Sequence, residues 1–328
     1  MRLFPVVATL AIASIGLTAC SGSSPAATTS GQSATNQPQT ATILTNWFAQ
    51  AEQGGYWDAM DKQYAKDKKI TLVVKQGGPG IQTIPQVAAG QADFGIAQAD
   101  EVLVARKNGL PIVAVAAGFD TNLQCMMFHQ GQGIQTFADL NGHQVSRVPS
   151  PYFDYLKAHF KLTNIKDINY TGSMADFKRN TDLVQQCFIT SEPFFAKKEG
   201  INIGLLSVAK DGGYNPYNNL LFTNEALIKK NPALVSAVVA SSVQGWKNLL
   251  VDPSAAKAAV LKANKDADPA AFDYAAQIIK AGGYLGSPIG GMTDERWKTL
   301  RDQLASISQV PASFDYTKAF TTEFLPKS

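Results

Sequence analysis

Ile70-Thr71-Leu72-Val73-Val74-Lys75-Gln76-Gly77-Gly78-Pro79-Gly80, followed by Val87-Ala88-Ala89-Gly90-Gln91-Ala92-Asp93-Phe94-Gly95-Ile96, decides the fold. The first run is β-branched and alternating, so Ile70–Lys75 is predicted as a strand, and the glycines and proline end it. Residues 82–89 carry a helical pattern, and 92–97 return to short apolar β-type sequence. Strand, glycine-rich turn, short helix and strand make a βαβ unit, the building block of α/β sheets. Glycine at a strand end also leaves room for close backbone approach, which makes Gly77, Gly78 and Gly80 candidate ligand contacts.

The same alternation extends outward in both directions. Residues 42–47 read as a first strand and 55–66 as a helix with Tyr56, Met60 and Tyr64 four residues apart on one side. Toward the C-terminus, 100–108 reads as a helix and 112–117 as a strand, after which 123–129 leaves this group extended. A second set follows: strand 144–148, helix 152–160, strand 167–170, helix 175–186, then 188–191, helix 193–199 and strand 203–208. Residues 218–223 carry the chain back, and 233–250 and 270–279 are helical. The expected fold class is therefore α/β, with largely parallel sheets and two α/β lobes joined by a two-segment hinge over a ligand cleft. Lobe 1 comprises 41–124 and 218–328, and lobe 2, inserted, comprises 125–217.

The N-terminus precedes any fold. Arg2 is followed by an apolar run over 3–17 and by Leu17-Thr18-Ala19-Cys20, the pattern of an export signal ending in small residues. Leu17-Thr18-Ala19-Cys20 resembles the lipobox of bacterial lipoproteins, which implies a signal peptide over 1–20, lipidation of Cys20 and extracytoplasmic anchoring to a cell membrane, on the periplasmic side or the outer face. Residues 21–40 hold no charge and no aromatic residue, so they are expected to form a flexible tether. Lys and Arg total 29 and Asp and Glu 26, and no basic block suggests nucleic acid. Beyond Cys20 the cysteines are Cys125 and Cys187, for which export leaves open a disulfide or two buried thiols. His129, His143 and His159 join no acid or cysteine cluster, so no metal and no cofactor is expected.

The two quoted stretches, with Asp100-Glu101-Val102-Leu103, Ile112-Val113-Ala114-Val115-Ala116-Ala117, Ser191-Glu192-Pro193-Phe194, Gly245-Trp246 and Met292-Thr293-Asp294-Glu295-Arg296-Trp297, resemble the NMT1/THI5-like solute-binding proteins of ABC importers. The likeness covers about 42–324, and order and spacing carry it more than any one motif. It implies a type II periplasmic-binding fold and, as partners, a small solute, a permease and a separate ATPase. No G-x-x-x-x-G-K-[ST] loop is present in the chain itself. Fungal relatives that make a pyrimidine carry a CCCFC segment. The matching stretch here, Gln185-Gln186-Cys187-Phe188-Ile189, has one cysteine, so no catalytic residue and no enzyme is expected. A monomeric importer component is the leading reading, and a signalling or adhesion lipoprotein the minor one.

In open α/β sheets, ligands sit outside the carboxyl ends of strands. That rule selects Trp47 as a stacking face, Tyr56 or Trp57 at the next helix start, and Gln98 as a hydrogen-bonding amide. Asp100 is either an N-cap or a ligand group. Ser150 and Pro151 open a helix whose free N–H groups, with Arg147 just before, suit an anion; Tyr152 and Tyr155 follow. Glu192 can pair with an amino-heterocycle, and Tyr214 and Tyr217 stand near the returning hinge. One evident cation among many amides and aromatics favours a flat heterocycle of the thiamine-pyrimidine type, with a sulfonate, taurine or nitrate-type anion as the alternative.

Overall fold

The computed structural model describes residues 37–327. The expected signal peptide, Cys20 and most of the expected tether lie outside them. The first half runs β1 (Gln39–Leu44), α1 (Gly54–Lys62), β2 (Ile70–Lys75), α2 (Thr83–Ala88), β3 (Phe94–Ala97), α3 (Ala99–Lys107) and β4 (Ile112–Ala116). It continues through β5 (Gln124–His129), β6 (Gln144–Arg147), α4 (Pro151–His159), β7 (Lys166–Asn169), α5 (Ala175–Arg179), β8 (Leu183–Phe188), α6 (Glu192–Lys198) and β9 (Ile203–Ser207). The remainder is β10 (Leu220–Asn224), α7 (Glu225–Lys230), α8 (Pro232–Val251), α9 (Ser254–Ala263), α10 (Pro269–Gly282) and α11 (Asp294–Ser306).

The strands make two five-stranded sheets, ordered β2-β1-β3-β10-β4 and β7-β6-β8-β5-β9. β1 runs parallel to β2 and β3, and β6 parallel to β7 and β8. Against the expectation of largely parallel sheets, β10 is antiparallel to β3 and β4, and β5 to β8 and β9. The reason is connectivity: β5 and β10 are the strands on which the chain enters one sheet from the other, so each arrives reversed. The two crossing segments lie side by side, with Phe119 N donating to Asn218 O at 2.8 Å and Asn218 N to Phe119 O at 3.1 Å. Asn218 Nδ2 also donates to Asn122 Oδ1 at 2.9 Å.

Two further expectations need correction. Residues 183–186 belong not to a long helix but to β8, the central strand of the second sheet. Helix α5 stops at Arg179 because Asn180 takes an extended conformation, and the apolar run after it pairs on both sides. Gln39 and Thr40 belong to β1 rather than to a tether, because they register with Ile70 and Thr71.

Helix α1 packs closely on α8. Gly55 and Gly245 permit this: a Cβ on Gly245 would lie 2.0 Å from Gly55 O, and one on Gly55 2.2 Å from the Trp246 ring. Trp57 and Trp246 fill the surrounding core. The obstructing atom at Gly245 is backbone and cannot swing aside. Gly245→Ala is therefore expected to destabilise by about 3 kcal/mol, the upper range for overpacking, measured by urea unfolding. A loss below about 0.5 kcal/mol would show that the helices part freely.

Candidate functional site

Loops at the carboxyl ends of strands in both sheets converge on a cavity of about 530 Å³. The segment after β1 contributes Asn46, Trp47, Gln50, Glu52 and Gln53; the turn after β2 contributes Gly78 and the start of α3 Gln98. From the second sheet come Ser150 and Tyr152 at the start of α4, Tyr170 after β7, and Gln186 and Glu192 around the end of β8. Among the described residues, no Lys, Arg or His lines this cavity.

Trp47 and Tyr170 face each other with ring planes 7° from parallel and centroids 6.3 Å apart. Behind Tyr170 stands Glu192, which accepts from Tyr170 OH at 2.9 Å and from Phe188 N at 2.8 Å. Burial pushes its carboxyl up to about 7, a rise that those two bonds oppose and the charge of Glu52 adds to. Glu52 is buried, 4% exposed. Its Oε1 accepts from Thr190 Oγ1, and burial raises its pKa as well, against that bond. No cation offsets either group, so the site accumulates acceptors.

Asn219 ties the floor together. It holds the left-handed conformation, φ 47°, which Asn tolerates better than most residues. Its N–H donates to Gln98 Oε1 at 2.9 Å, its Nδ2 to Glu52 O at 3.0 Å, and its Oδ1 accepts from Gln98 Nε2 at 3.3 Å. Gln98 thus lines the cavity, but its amide is used at both ends to orient Asn219. Gln53 lines the cavity, and its Oε1 is buried without a protein partner.

The other expected site residues divide. Ser150 and Tyr152 reach the cavity, and Ser150 Oγ donates to Val148 O at 3.2 Å. Gly78 lines it, and a Cβ there would lie 3.0 Å from the Phe48 ring. Gly77 does not: its N–H donates back to Trp47 O and Thr45 Oγ1, and a Cβ would strike Thr45 O. Tyr56 and Trp57 are both core residues, because α1 turns them toward α8. Tyr56 OH supports the site from behind, donating to Asn219 O at 2.9 Å. Asp100 and Tyr214 are buried beside the cavity and bonded to each other, Tyr214 OH to Asp100 Oδ2 at 3.0 Å. Arg147 is held away by a bidentate pair with Asp167, at 2.8 and 3.0 Å, and by the Phe153 ring. The expected anion corner at Arg147 and Pro151 is consequently without its cation.

Sequence reasoning missed Gln50, Glu52, Gln53, Tyr170, Gln186 and Asn219. For Glu52 and Gln53 the strand-end rule was the available signal, since they sit a few residues past β1. Tyr170 closes β7 in the same way.

Cys125 and Cys187 face each other across β5 and β8 and are joined by a disulfide.

Two mixed five-stranded sheets crossed twice by the chain, with a polar cavity at their strand ends, define a type II periplasmic-binding fold. Residues 50–256 match the family model described as NMT1/THI5 like. The chain belongs to the NMT1/THI5-like family. It is 25% identical to the riboflavin-binding protein RibY of Chloroflexus aurantiacus over 94% of each chain. It is 21% identical to the formylaminopyrimidine-binding protein of Halalkalibacterium halodurans, over 80% of this chain and 83% of that one. The solved structure of the periplasmic aliphatic sulphonate binding protein SsuA from Escherichia coli is similar at a TM-score of 0.66 and 15% identity, over 89% of this chain and 94% of that one.

Proposed function

We propose that this chain is the extracytoplasmic solute-binding component of an ABC importer and captures a flat, non-anionic nitrogen heterocycle. The observation that carries the reading is the parallel Trp47–Tyr170 pair in a cavity rich in amides and carboxylates and free of cations. A ring sandwiched between two others needs about 7 Å between them, two van der Waals contacts of about 3.5 Å. The centroids stand 6.3 Å apart, inside that span, so the pair has to part to admit a ring. Gln53, Glu192 and the backbone around Asn219 would supply hydrogen-bond acceptors at the ring edge.

The relatives named for riboflavin and formylaminopyrimidine support this chemistry, since both ligands are flat and nitrogen-rich. The disulfide suits an oxidising compartment. In this reading Cys20 carries the lipid anchor and the protein works as a monomer. The lobe of 125–217 closes on that of 41–124 and 218–328 about the paired crossing segments. Solute bound to one lobe gains contacts to the other and shifts the open–closed equilibrium by that difference. The closed form docks on a permease driven by a separate ATPase. The chain binds its solute and does not transform it.

The test is a melting panel of the purified protein with riboflavin, formylaminopyrimidine and an alkanesulfonate. A heterocycle at about 100 times its Kd is expected to raise Tm by about 5–10 °C, an effect lost in Trp47→Ala, while the sulfonate does nothing. Stabilisation by the sulfonate alone would overturn the heterocycle reading.

A further inference from the structure

A second cavity, of about 260 Å³, adjoins the first and shares with it Trp47, Gln50, Glu52, Tyr170, Ser191 and Glu192. The Trp47–Tyr170 pair therefore borders both cavities. The remaining lining of this back chamber is mixed: Met174, Phe195, Ala271 and Phe272 are apolar, and Thr190 and Asn264 are polar. Asp266 and Asp268 stand at its edge. No Lys, Arg or His lines it among the described residues; Lys198, which reaches Asp268 at 2.6 Å, is not part of the lining.

A chamber so built sorts substituents by charge. Carboxylates and amide oxygens accept hydrogen bonds, so hydroxyl and amino groups are matched there. An anionic group would find no compensating cation lining the site among the described residues, and wherever Glu52 or Glu192 is ionised it would also meet a poorly screened like charge. The Glu52 carboxyl accepts from Thr190 Oγ1 at Oε1, and the residue lines both cavities.

The geometry points to a two-chamber site: the heterocycle lies in the Trp47–Tyr170 slot while a hydroxyl- or amine-bearing, phosphate-free chain attached to it occupies the chamber behind, against Glu52. This rests on the ring-binding reading above and adds the substituent that the ring carries.

Four probes separate the two claims by calorimetric titration: riboflavin, its isoalloxazine ring without the long chain as lumiflavin, riboflavin 5′-phosphate, and formylaminopyrimidine. Riboflavin is expected to bind about 100-fold more tightly than lumiflavin, as about eight further heavy atoms contribute at typical ligand efficiency. The phosphate ester should bind at least as weakly as lumiflavin. Ala271→Phe fills the back chamber and should reduce riboflavin to the affinity of lumiflavin. Glu52→Gln leaves the chamber open and should narrow the gap between riboflavin and its phosphate at least about tenfold. Equal binding of lumiflavin and riboflavin, with neither substitution changing their ratio, would overturn the back chamber and leave the ring site standing. Failure of the three flavins while formylaminopyrimidine still binds would do the same. Failure of all four probes to bind the unaltered protein would remove the ring reading and the chamber with it.

Discussion

Replacing Cys125 and Cys187 together by alanine is expected to lower unfolding stability by about 4 kcal/mol, the entropy that a bridge of this span withholds from the unfolded chain. The two cysteines are 62 residues apart in sequence and sit opposite each other on neighbouring antiparallel strands. The bridge therefore closes most of the second sheet into one loop. Both thiols are buried among Met127, Phe177 and Leu183, so alanine leaves a small cavity in addition. The effect should reach the binding site. Gln124, Gln186 and Phe188 neighbour the cysteines and line the front cavity, and without the bridge β5 and β8 are held by their ladder alone. The measurement is guanidinium unfolding of the bridged protein, the reduced protein and the double variant, with heterocycle affinity followed in parallel. The reduced and double-alanine forms should agree within about 1 kcal/mol. A double variant as stable as the parent would remove the bridge as a source of stability.

How far the sequence reveals this molecule follows from how local each signal is. The strand–glycine turn–helix–strand run around Gly77 and the apolar runs at Ile112–Ala116 and Ile203–Ser207 are local, and they were legible. The run Leu183–Phe188 was not, because a short apolar stretch after a helical pattern suits a buried helix or a buried strand equally. Its pairing with β5 and β6, far away in sequence, decides the matter. The site divides on the same line. Trp47, Gly78, Gln98, Ser150, Tyr152 and Glu192 stand at strand ends, and all of them line the cavity. Asp100 stands as close to a strand end, and Tyr56, Trp57 and Tyr214 farther along their connections, but packing buries all four side chains away from the cavity. Arg147 shows the sharpest limit. Its charge suggested an anion site, and its neutralisation by Asp167, 20 residues on, is visible only in three dimensions. Asn219 had no motif at all, since its role comes from Gln98, Glu52 and Tyr56 meeting around it.

The buried acids give the protein an unusual pH response, with stability and ligand affinity expected to move in opposite directions. Burial holds Asp100 up at about 6 and Glu101 beside it at about 7. Glu192 stands at about 7 and Glu52 is also raised. In the unfolded chain these carboxyls ionise near pH 4. Between about pH 4 and 7 the native state therefore holds more protons than the unfolded state, and stability falls as pH rises. A deeply buried carboxyl such as Asp100, held at about 6 rather than near 4, is worth about 3 kcal/mol across that interval. Asp100 and Glu101 interact, so their contributions do not simply add. Groups shifted the other way, such as Asp167 beside Arg147, lose their contribution only as pH falls below about 4, so maximum stability is expected near pH 4.5–5. Melting temperature should then decline steadily from pH 5 to 8, and Asp100→Asn should flatten that decline while sparing the site, since Asp100 bonds Tyr214 behind the cavity. Affinity runs the other way. Ionised Glu192 is the stronger acceptor, so a heterocycle that donates to it binds more tightly as pH rises through 7, and Glu192→Gln should abolish that rise. A melting temperature that is level or increasing between pH 5 and 7.5 would show that these carboxyls are ionised in the folded protein, each neutralised by a partner outside the contacts described.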